Sequence, residues 1–393
     1  MAASDAVIVS GARTAVGRAN KGTLVDVDAF ELGAIAVREA IDRSGIPAEE
    51  IQDLVLAESL QGGGVIGRYV AVELGMSSIP GMAVNRHCAA GLSAVQTVAA
   101  SIAAGMLDVG IAGGTESLSS MPQNLKRIPG SNPEATPWMS PSHPPTPLTP
   151  AFDMSLTVGE NTARLAGVSR AESDEWALQS HLRAAEARDS GRVADEIVGV
   201  PVMGPDGVAR VFDQDEHPRA DSTIERLASL PVLHPELDSP TVTAGNSAGL
   251  NDAAAALVLT SADYAAANGV APLARIRSWA SVGVDPVETG LAPTLAIPRA
   301  LDRAGLSIDD IELFEINEAF CSVAVASSRR LGLDADIVNV NGSGCGLGHP
   351  IAATGARMVV SMVHELRRRG QTLGCVSMCA GGGMGSALVL ELL

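Results

Sequence analysis

The segment Ala40-Ile41-Asp42-Arg43-Ser44-Gly45-Ile46 returns 260 residues later as Ala300-Leu301-Asp302-Arg303-Ala304-Gly305-Leu306, and Glu49-Glu50-Ile51 is answered by Asp309-Asp310-Ile311. Each copy reads as an amphipathic helix closed by glycine, then an acidic turn. An apolar run suited to a strand follows, Leu54-Val55-Leu56 or Leu313-Phe314-Glu315-Ile316. A repeat of this kind predicts two similar α/β halves. At the same offset Cys88 falls opposite Gly348, beside His349, so the two positions with most chemical character are equivalent.

Between the halves the sequence changes character. Nine prolines between Ser119 and Pro150, with no hydrophobic period, predict an irregular inserted loop. From Val158 to Arg192 the pattern is helical, with Ser169 and Glu172 as a capping box and Gly191 near the end, which predicts a small helical subdomain. The chain then returns through Thr241-Val242-Thr243-Ala244-Gly245-Asn246 to an apolar stretch, Asp252 to Leu259, read as a helix. The expected organisation is 1–118 as the first half with 250–270 as its returning segment, 119–249 as the insert, and 271–393 as the second half. With 393 residues, 46% of them hydrophobic, the chain has ample material for these cores.

A net charge of −18 leaves no basic surface to meet a nucleic-acid backbone or an anionic membrane, so neither partner is expected. No apolar stretch approaches the roughly 18 residues of a membrane span. Met1-Ala2-Ala3-Ser4-Asp5 runs into Ala6-Val7-Ile8-Val9 without a basic leader, and Glu391-Leu392-Leu393 is not a peroxisomal tripeptide; the expectation is a cytoplasmic protein. Five cysteines, at 88, 321, 345, 375 and 379, form no CxxC pair and predict no disulfide framework. Seven scattered histidines form no HxxxH or HExxH pattern, so no metal is expected.

Four clusters carry chemistry. Cys88, in Asn85-Arg86-His87-Cys88-Ala89-Ala90-Gly91, stands at a predicted helix start, where free N–H groups lower a thiol's pKa from about 8.5 and favour the nucleophilic thiolate. A free cysteine is also a common small core residue. His349, in Gly342-Ser343-Gly344-Cys345-Gly346-Leu347-Gly348-His349-Pro350, stands at another helix start. With an unperturbed pKa of about 6.5 it is the best general-base candidate, a helix-capping histidine being the alternative. Cys379 ends a predicted strand before Gly381-Gly382-Gly383, whose N–H groups can form an oxyanion hole; a hairpin turn with a buried cysteine is the other reading. Asn317, in Asn317-Glu318-Ala319-Phe320, offers an amide that can orient water or an oxyanion. Cys321, Cys345 and Cys375 read as packing residues.

Taken in order, VNRHCAAG around Cys88, GGTES from Gly113, TVTAGN from Thr241, NEAF from Asn317, GHPIAATGAR from Gly348 and CAGGGMG from Cys379 resemble the thiolase family along nearly the whole chain. The resemblance implies a duplicated βαβαβαββ α/β fold stacked in five layers, with an inserted loop domain that receives coenzyme A, in a homodimer or homotetramer. It implies an acyltransferase that cleaves 3-ketoacyl-CoA by thiolysis, or runs the reverse Claisen condensation, with coenzyme A as co-substrate and no permanently bound cofactor. Carried across, Cys88 is the acylated nucleophile, His349 its base and Cys379 the second acid/base. Asn317 acts through water, together with His349, on one oxyanion, and the N–H groups of Cys88 and Gly381 act on the other. Arg219, Ser247, Ala319 and Phe320 are the expected substrate-binding positions.

Departures from the family pattern bear on substrate choice. Glycine-rich 342–348 sets less bulk beside His349 than many thiolases have, which predicts a wider pocket. Ala248 replaces a serine commonly near the pantetheine, with Ser247 directly before it, and no histidine precedes Met154 as in short-chain biosynthetic thiolases. These features favour degradative thiolysis of bulkier chains over a biosynthetic acetoacetyl-CoA thiolase. A decarboxylating ketoacyl synthase would carry a second histidine in place of Asn317, and a thiolase-like acyl-CoA-binding protein without turnover would have lost one of the four side chains. Residues 119–249 hold ten Lys and Arg against eighteen Asp and Glu, so recognition of polyanionic coenzyme A must be local.

Overall fold

In both halves a glycine stops the repeated helix. The computed structural model describes residues 2, 4–61, 63–204 and 206–393; Met1 and Ala3, part of the N-terminal stretch read above, lie outside them. Strand β1 (Ala6–Thr14) leads to α1 (Ala29–Ser44), where Asp28 Oδ1 accepts the N–H groups of Phe30 and Glu31 at 2.9 Å. There follow β2 (Asp53–Ala57), α2 (Ile66–Glu73), β3 (Met82–Val84), α3 (Ala90–Ala103), β4 (Val109–Ser117) and, after the long excursion, β5 (Asn251–Ser261). The second half repeats this order. Strand β6 (Ala274–Gly283) is followed by α5 (Pro293–Ala304), β7 (Leu313–Ile316), α6 (Cys321–Leu331), α7 (Ile351–Arg369), β8 (Leu373–Ala380) and β9 (Met384–Leu392). α1 ends at Gly45 (φ +66°) and α5 at Gly305 (φ +69°), and a 3₁₀ turn follows each, Ala48–Glu50 and Ile308–Asp310. The counterpart of β3 shrinks to one bridge, Phe314 to Val338.

The strands run β7-β8-β9-β6-β1-β5-β4-β2-β3, so each half builds its own sheet and the two join where Val7 and Ile8 meet Arg275 and Ala274. Alternation along each strand separates the faces. Ala255, Leu257 and Leu259 of β5 pack with α3 and α7 in the middle, while Ala254, Ala256 and Val258 pack with α1 and α2 outside. On the other sheet Val376, Leu388 and Leu390 face the middle, and Cys375, Ala387 and Val389 face α5. The result is five layers: helices, sheet, the shared pair α3 and α7, sheet, helices. One expectation is corrected here. The stretch Asp252 to Leu259, read as a helix, is strand β5, paired with β1 on one side and β4 on the other. Burial on both faces makes the run apolar throughout and hides its period of two, and its alanines reflect packing space rather than helix propensity.

Residues between β4 and β5 hold a short antiparallel hairpin, Leu125–Arg127 with Ala135–Pro137, inside the stretch expected to be irregular. Helix α4 (Arg170–Asp189) carries the expected capping box: Ser169 Oγ accepts Glu172 N–H at 3.2 Å while Glu172 Oε2 accepts Ser169 N–H at 2.8 Å. Gly167, in a left-handed conformation, separates α4 from a shorter helix, Asn161–Ala166, so the helical pattern from Val158 is broken in two. Fully buried Arg13 fastens this region to β1 through Glu196 at 2.8 Å and both oxygens of Asp215 at 2.7 and 2.9 Å.

Candidate active site

The middle layer directs two helix N-termini at one place. A Cβ on Gly91 would stand 2.7 Å from Ala352 O, and one on Gly355 would stand 2.3 Å from Leu92 N; only glycine lets the first turns of α3 and α7 touch backbone to backbone. Cys88 and His349 each lie two residues before one of these helices. His87 bends the chain into α3 with φ +46°, held by Asn85 Oδ1, which accepts its N–H at 2.8 Å, and by its own carbonyl, which accepts from Ser59 Oγ. Gly348 (φ +113°) turns His349 inward, where Asn251 Oδ1 accepts the His349 N–H at 3.0 Å; a side chain at 348 would collide with Asn251.

Burial sets the ionisation of these groups. Cys88 is half-buried, and burial pushes its thiol up to about 11; the N–H of Gly381 and its own N–H pull the other way, and the Glu116 carboxylate adds to the rise. The expected lowering by the helix N-terminus is therefore outweighed. His349 is 7% exposed, and burial first, the charge of Arg357 second, hold it neutral with a pKa near 3. Its tautomer follows from its partners. Thr354 Oγ1 donates to Pro350 O at 2.8 Å, so it accepts from His349 Nδ1–H at 2.7 Å and leaves the Nε2 lone pair free. Asn317 Nδ2 stands 3.5 Å from that Nε2. Asn317 is fully buried, and its Oδ1 has no partner among the described residues, lying where a Cβ on Gly344 would intrude.

Cys379 is 2% exposed and sits close enough to Cys88 that each charge would oppose the other; burial first, then Cys88, push its thiol far above the usual range. β8 ends one residue later and the chain turns through Gly381, Gly382 (φ +90°) and Gly383 (φ +83°) into β9. A Cβ at 382 would meet Ser142 O at 2.7 Å. Cys88, Cys379, Gly381, Asn317 and His349, read from four separate stretches, are thus neighbours in sets: Cys88 with Gly381 and Cys379, and Asn317 with His349. Asn317 N–H also donates to Ser377 O at 2.9 Å, two residues before Cys379.

Three of the expected substrate-binding positions also meet. Ser247 bridges Phe320, and Ala248 N–H donates to Ala319 O at 3.0 Å. Ala319 and Phe320 pack with Met154 and Val158 in the cluster around Cys379. Ser247 Oγ itself donates to Thr243 O at 2.6 Å. Arg219 lies apart from these, on the rim of a cavity of about 260 Å³ that His181, His217, Arg226 and Gly245 also line. Cys345, read as packing, is buried beside Cys321, and its thiol also donates to Gly245 O at 3.5 Å. Residues not singled out in advance include Glu116, which accepts from Leu60 N–H and Ala352 N–H; Glu318, which accepts from Trp176, Ser180 and Asn339; and Ser142 and Met154, beside Gly381. Glu116 and Glu318 lie inside the quoted GGTES and NEAF pieces, but no spacing rule marks an anchor as distinct from a reacting group. Among the described residues no group of three side chains could hold a metal ion, and no helix is long and apolar enough to cross a membrane.

A neutral thiol, a neutral imidazole with a free lone pair, a second thiol and converging N–H donors form a set suited to acyl transfer through a thioester. Comparison with known proteins points the same way. The family model for the thiolase N-terminal domain matches residues 6–263 and that for the thiolase C-terminal domain matches 270–392. A 3-ketoacyl-CoA thiolase of Bacillus subtilis is 41% identical over 404 residues, covering 99% of both chains. The crystal structure of the Bacillus anthracis acetyl-CoA acetyltransferase superposes with a TM-score of 0.91 at 37% identity, covering 99% of each chain. That of human mitochondrial 3-ketoacyl-CoA thiolase gives 0.91 at 33% identity over the whole of both. With both halves matched in sequence and the complete fold shared, the chain belongs to the thiolase family.

Proposed function

We propose that the protein is an acetyl-CoA C-acyltransferase that cleaves 3-ketoacyl-CoA with coenzyme A. Cys88 attacks the keto carbonyl while its proton passes to His349 Nε2, and the alkoxide is stabilised by Asn317, through water, with His349. Collapse breaks the bond between C2 and C3. The acyl group stays on Cys88, and the acetyl-CoA enolate takes a proton from Cys379. The thiol of coenzyme A then attacks acyl-Cys88, giving its proton to Cys379, while His349 returns its proton to the departing Cys88 sulfur. The N–H groups of Cys88 and Gly381 stabilise the thioester oxyanion. The Claisen condensation is the same sequence reversed.

The observation that carries this reading is the joining of remote stretches: the Gly381 N–H reaches the Cys88 sulfur, Cys379 lies beside it, and Asn317 Nδ2 stands 3.5 Å from the free nitrogen of His349. Ser247, Ala319 and Phe320 are assigned to the pantetheine side and Arg219 to the coenzyme phosphates, within an insert of residues 119–249. Residues 1–118 with 250–270, and 271–393, are assigned as the two halves. Degradative thiolysis is preferred to acetoacetyl-CoA synthesis because residue 153, before Met154, is aspartate and 342–348 are glycine-rich. Exposed Met121, Leu125, Trp138, Leu148 and Phe152 support assembly as a homodimer or homotetramer, and we assign the protein to the cytoplasm. The test is thiolysis of a series of 3-ketoacyl-CoA substrates, followed by loss of the keto-thioester. Turnover that rises beyond four carbons is expected; fastest turnover at four carbons favours the biosynthetic reading, and no turnover in either direction refutes both.

A further inference from the structure

A 3.5 Å contact between Asn317 and His349 is at the limit of a hydrogen bond and does not hold itself in place. Something else must fix the two elements that carry them. Glu315 lies two residues before Asn317 on β7 and shares its face, because Phe314 and Ile316 point to the outer layer. Arg357 lies on α7, three residues after Thr354, the partner of His349 Nδ1. Ser343 opens the short turn Gly344–Leu347 that delivers Gly348 and His349. All three meet at one atom: Glu315 Oε1 is ion-paired with Arg357 Nη1 and accepts from Ser343 Oγ at 3.0 Å.

We propose that Glu315, Arg357 and Ser343 form a clamp of positioning residues that sets the separation of Asn317 and His349, and so the fit of their oxyanion site to the transition state. The proposal rests on the thiolase reading above. Stability alone does not account for the ion pair. Both side chains are nearly fully buried, desolvation consumes most of the Coulomb attraction, and an apolar pair of the same volume is usually as stable. Arg357 even leaves Nε and Nη2 without partners among the described residues, beside a cavity of about 30 Å³ that Glu196, Asp215 and Asn341 also line. What an ion pair supplies and an apolar pair does not is direction: Arg357 Nη1 and Ser343 Oγ must both reach Glu315 Oε1, and that meeting fixes where α7 and the turn before His349 lie along β7. A misplacement of about 1 Å at a reacting centre costs roughly 100-fold in rate.

The test is the double variant Glu315→Gln/Arg357→Met, which removes both charges and leaves neither unpaired, with Ser343→Ala as the milder cut. Wild-type thiolysis is measured first, since its absence refutes the function and not the clamp. The double variant is expected to fold, to lose about 10- to 100-fold in kcat and to keep its KM for coenzyme A. In an Asn317→Ala background the same change is expected to alter kcat by less than about threefold, because the arm it positions is already gone. A kcat within about twofold of wild type, or the same loss in both backgrounds, overturns the clamp. If the double variant does not fold, Ser343→Ala decides: a kcat loss that vanishes with Asn317→Ala supports it, and unchanged kcat overturns it.

Discussion

At Cys88 two effects of known sign compete. Two N–H groups and a helix start favour the thiolate, while removal from water favours the thiol, and burial is the larger, placing the group near 11. His349, held near 3, is then neutral at the same pH, so the resting pair is thiol and imidazole, and charge appears only as bonds change. Below its pKa a thiol gains about tenfold in thiolate per pH unit. Alkylation of Cys88 by iodoacetamide, followed by peptide mapping, is therefore expected to rise about tenfold per unit between pH 7 and 9; a rate flat across that range would mean a preformed thiolate–imidazolium pair. The placement of Cys88 and His349 just before two helices was legible in the sequence, because a thiol beside a helix start and a histidine after a glycine run are local patterns. Their ionisation was not, since it depends on Glu116, Arg357 and the apolar walls that only the fold brings up.

Among elements, the contact of α3 with α7 and β4 governs the site. A Cβ on Gly114 would stand 2.1 Å from Ala352 O, in the first turn of α7 behind His349. Gly114→Ala must therefore push that turn away, and overpacking of this kind costs typically 1–3 kcal/mol. The expected outcome is a urea midpoint lowered to match and a kcat that falls further than that of Gly105→Ala, an exposed glycine at a helix end. Equal kcat in the two variants would mean that the first turn of α7 does not transmit to His349. The repeated helix, turn and strand were legible at this scale because glycine stops and amphipathic spacing are set locally. Strand β5 was not, because a strand covered on both faces loses the alternation that identifies it, and four consecutive alanines imitate a helix. Helix α4 was legible from its cap, where Ser169 and Glu172 satisfy each other's backbone.

For the whole molecule, neutral buried histidines couple folding to pH. His349 and His217 are held near 3 by burial, and His87 and His364 are shifted the same way. Unfolding frees them to bind protons, so their contribution is complete above about pH 6.5 and is lost as pH falls toward 3. Glu116, raised to about 7 by burial, acts oppositely and weakens the fold as pH rises from 4.5 to 7. Burial raises Glu315 and Asp252 in the same sense, but the four histidines outnumber these three carboxyls, and between pH 6.5 and 4.5 the unfolding free energy is expected to fall, by about 1.4 kcal/mol per unit for each histidine that is not offset. Urea titrations across that window check this, and stability that stays level or rises on acidification contradicts it. The most direct measurement bears on the convergence of distant segments upon a single acyl group. The protein is mixed with a 3-ketoacyl-CoA in the absence of free coenzyme A, and the intact mass and peptide map are recorded. One acyl group on Cys88 with release of acetyl-CoA is expected, abolished by Cys88→Ala and slowed about 10² to 10⁴-fold by His349→Ala; no adduct, or an adduct carried by another residue, contradicts the assignment.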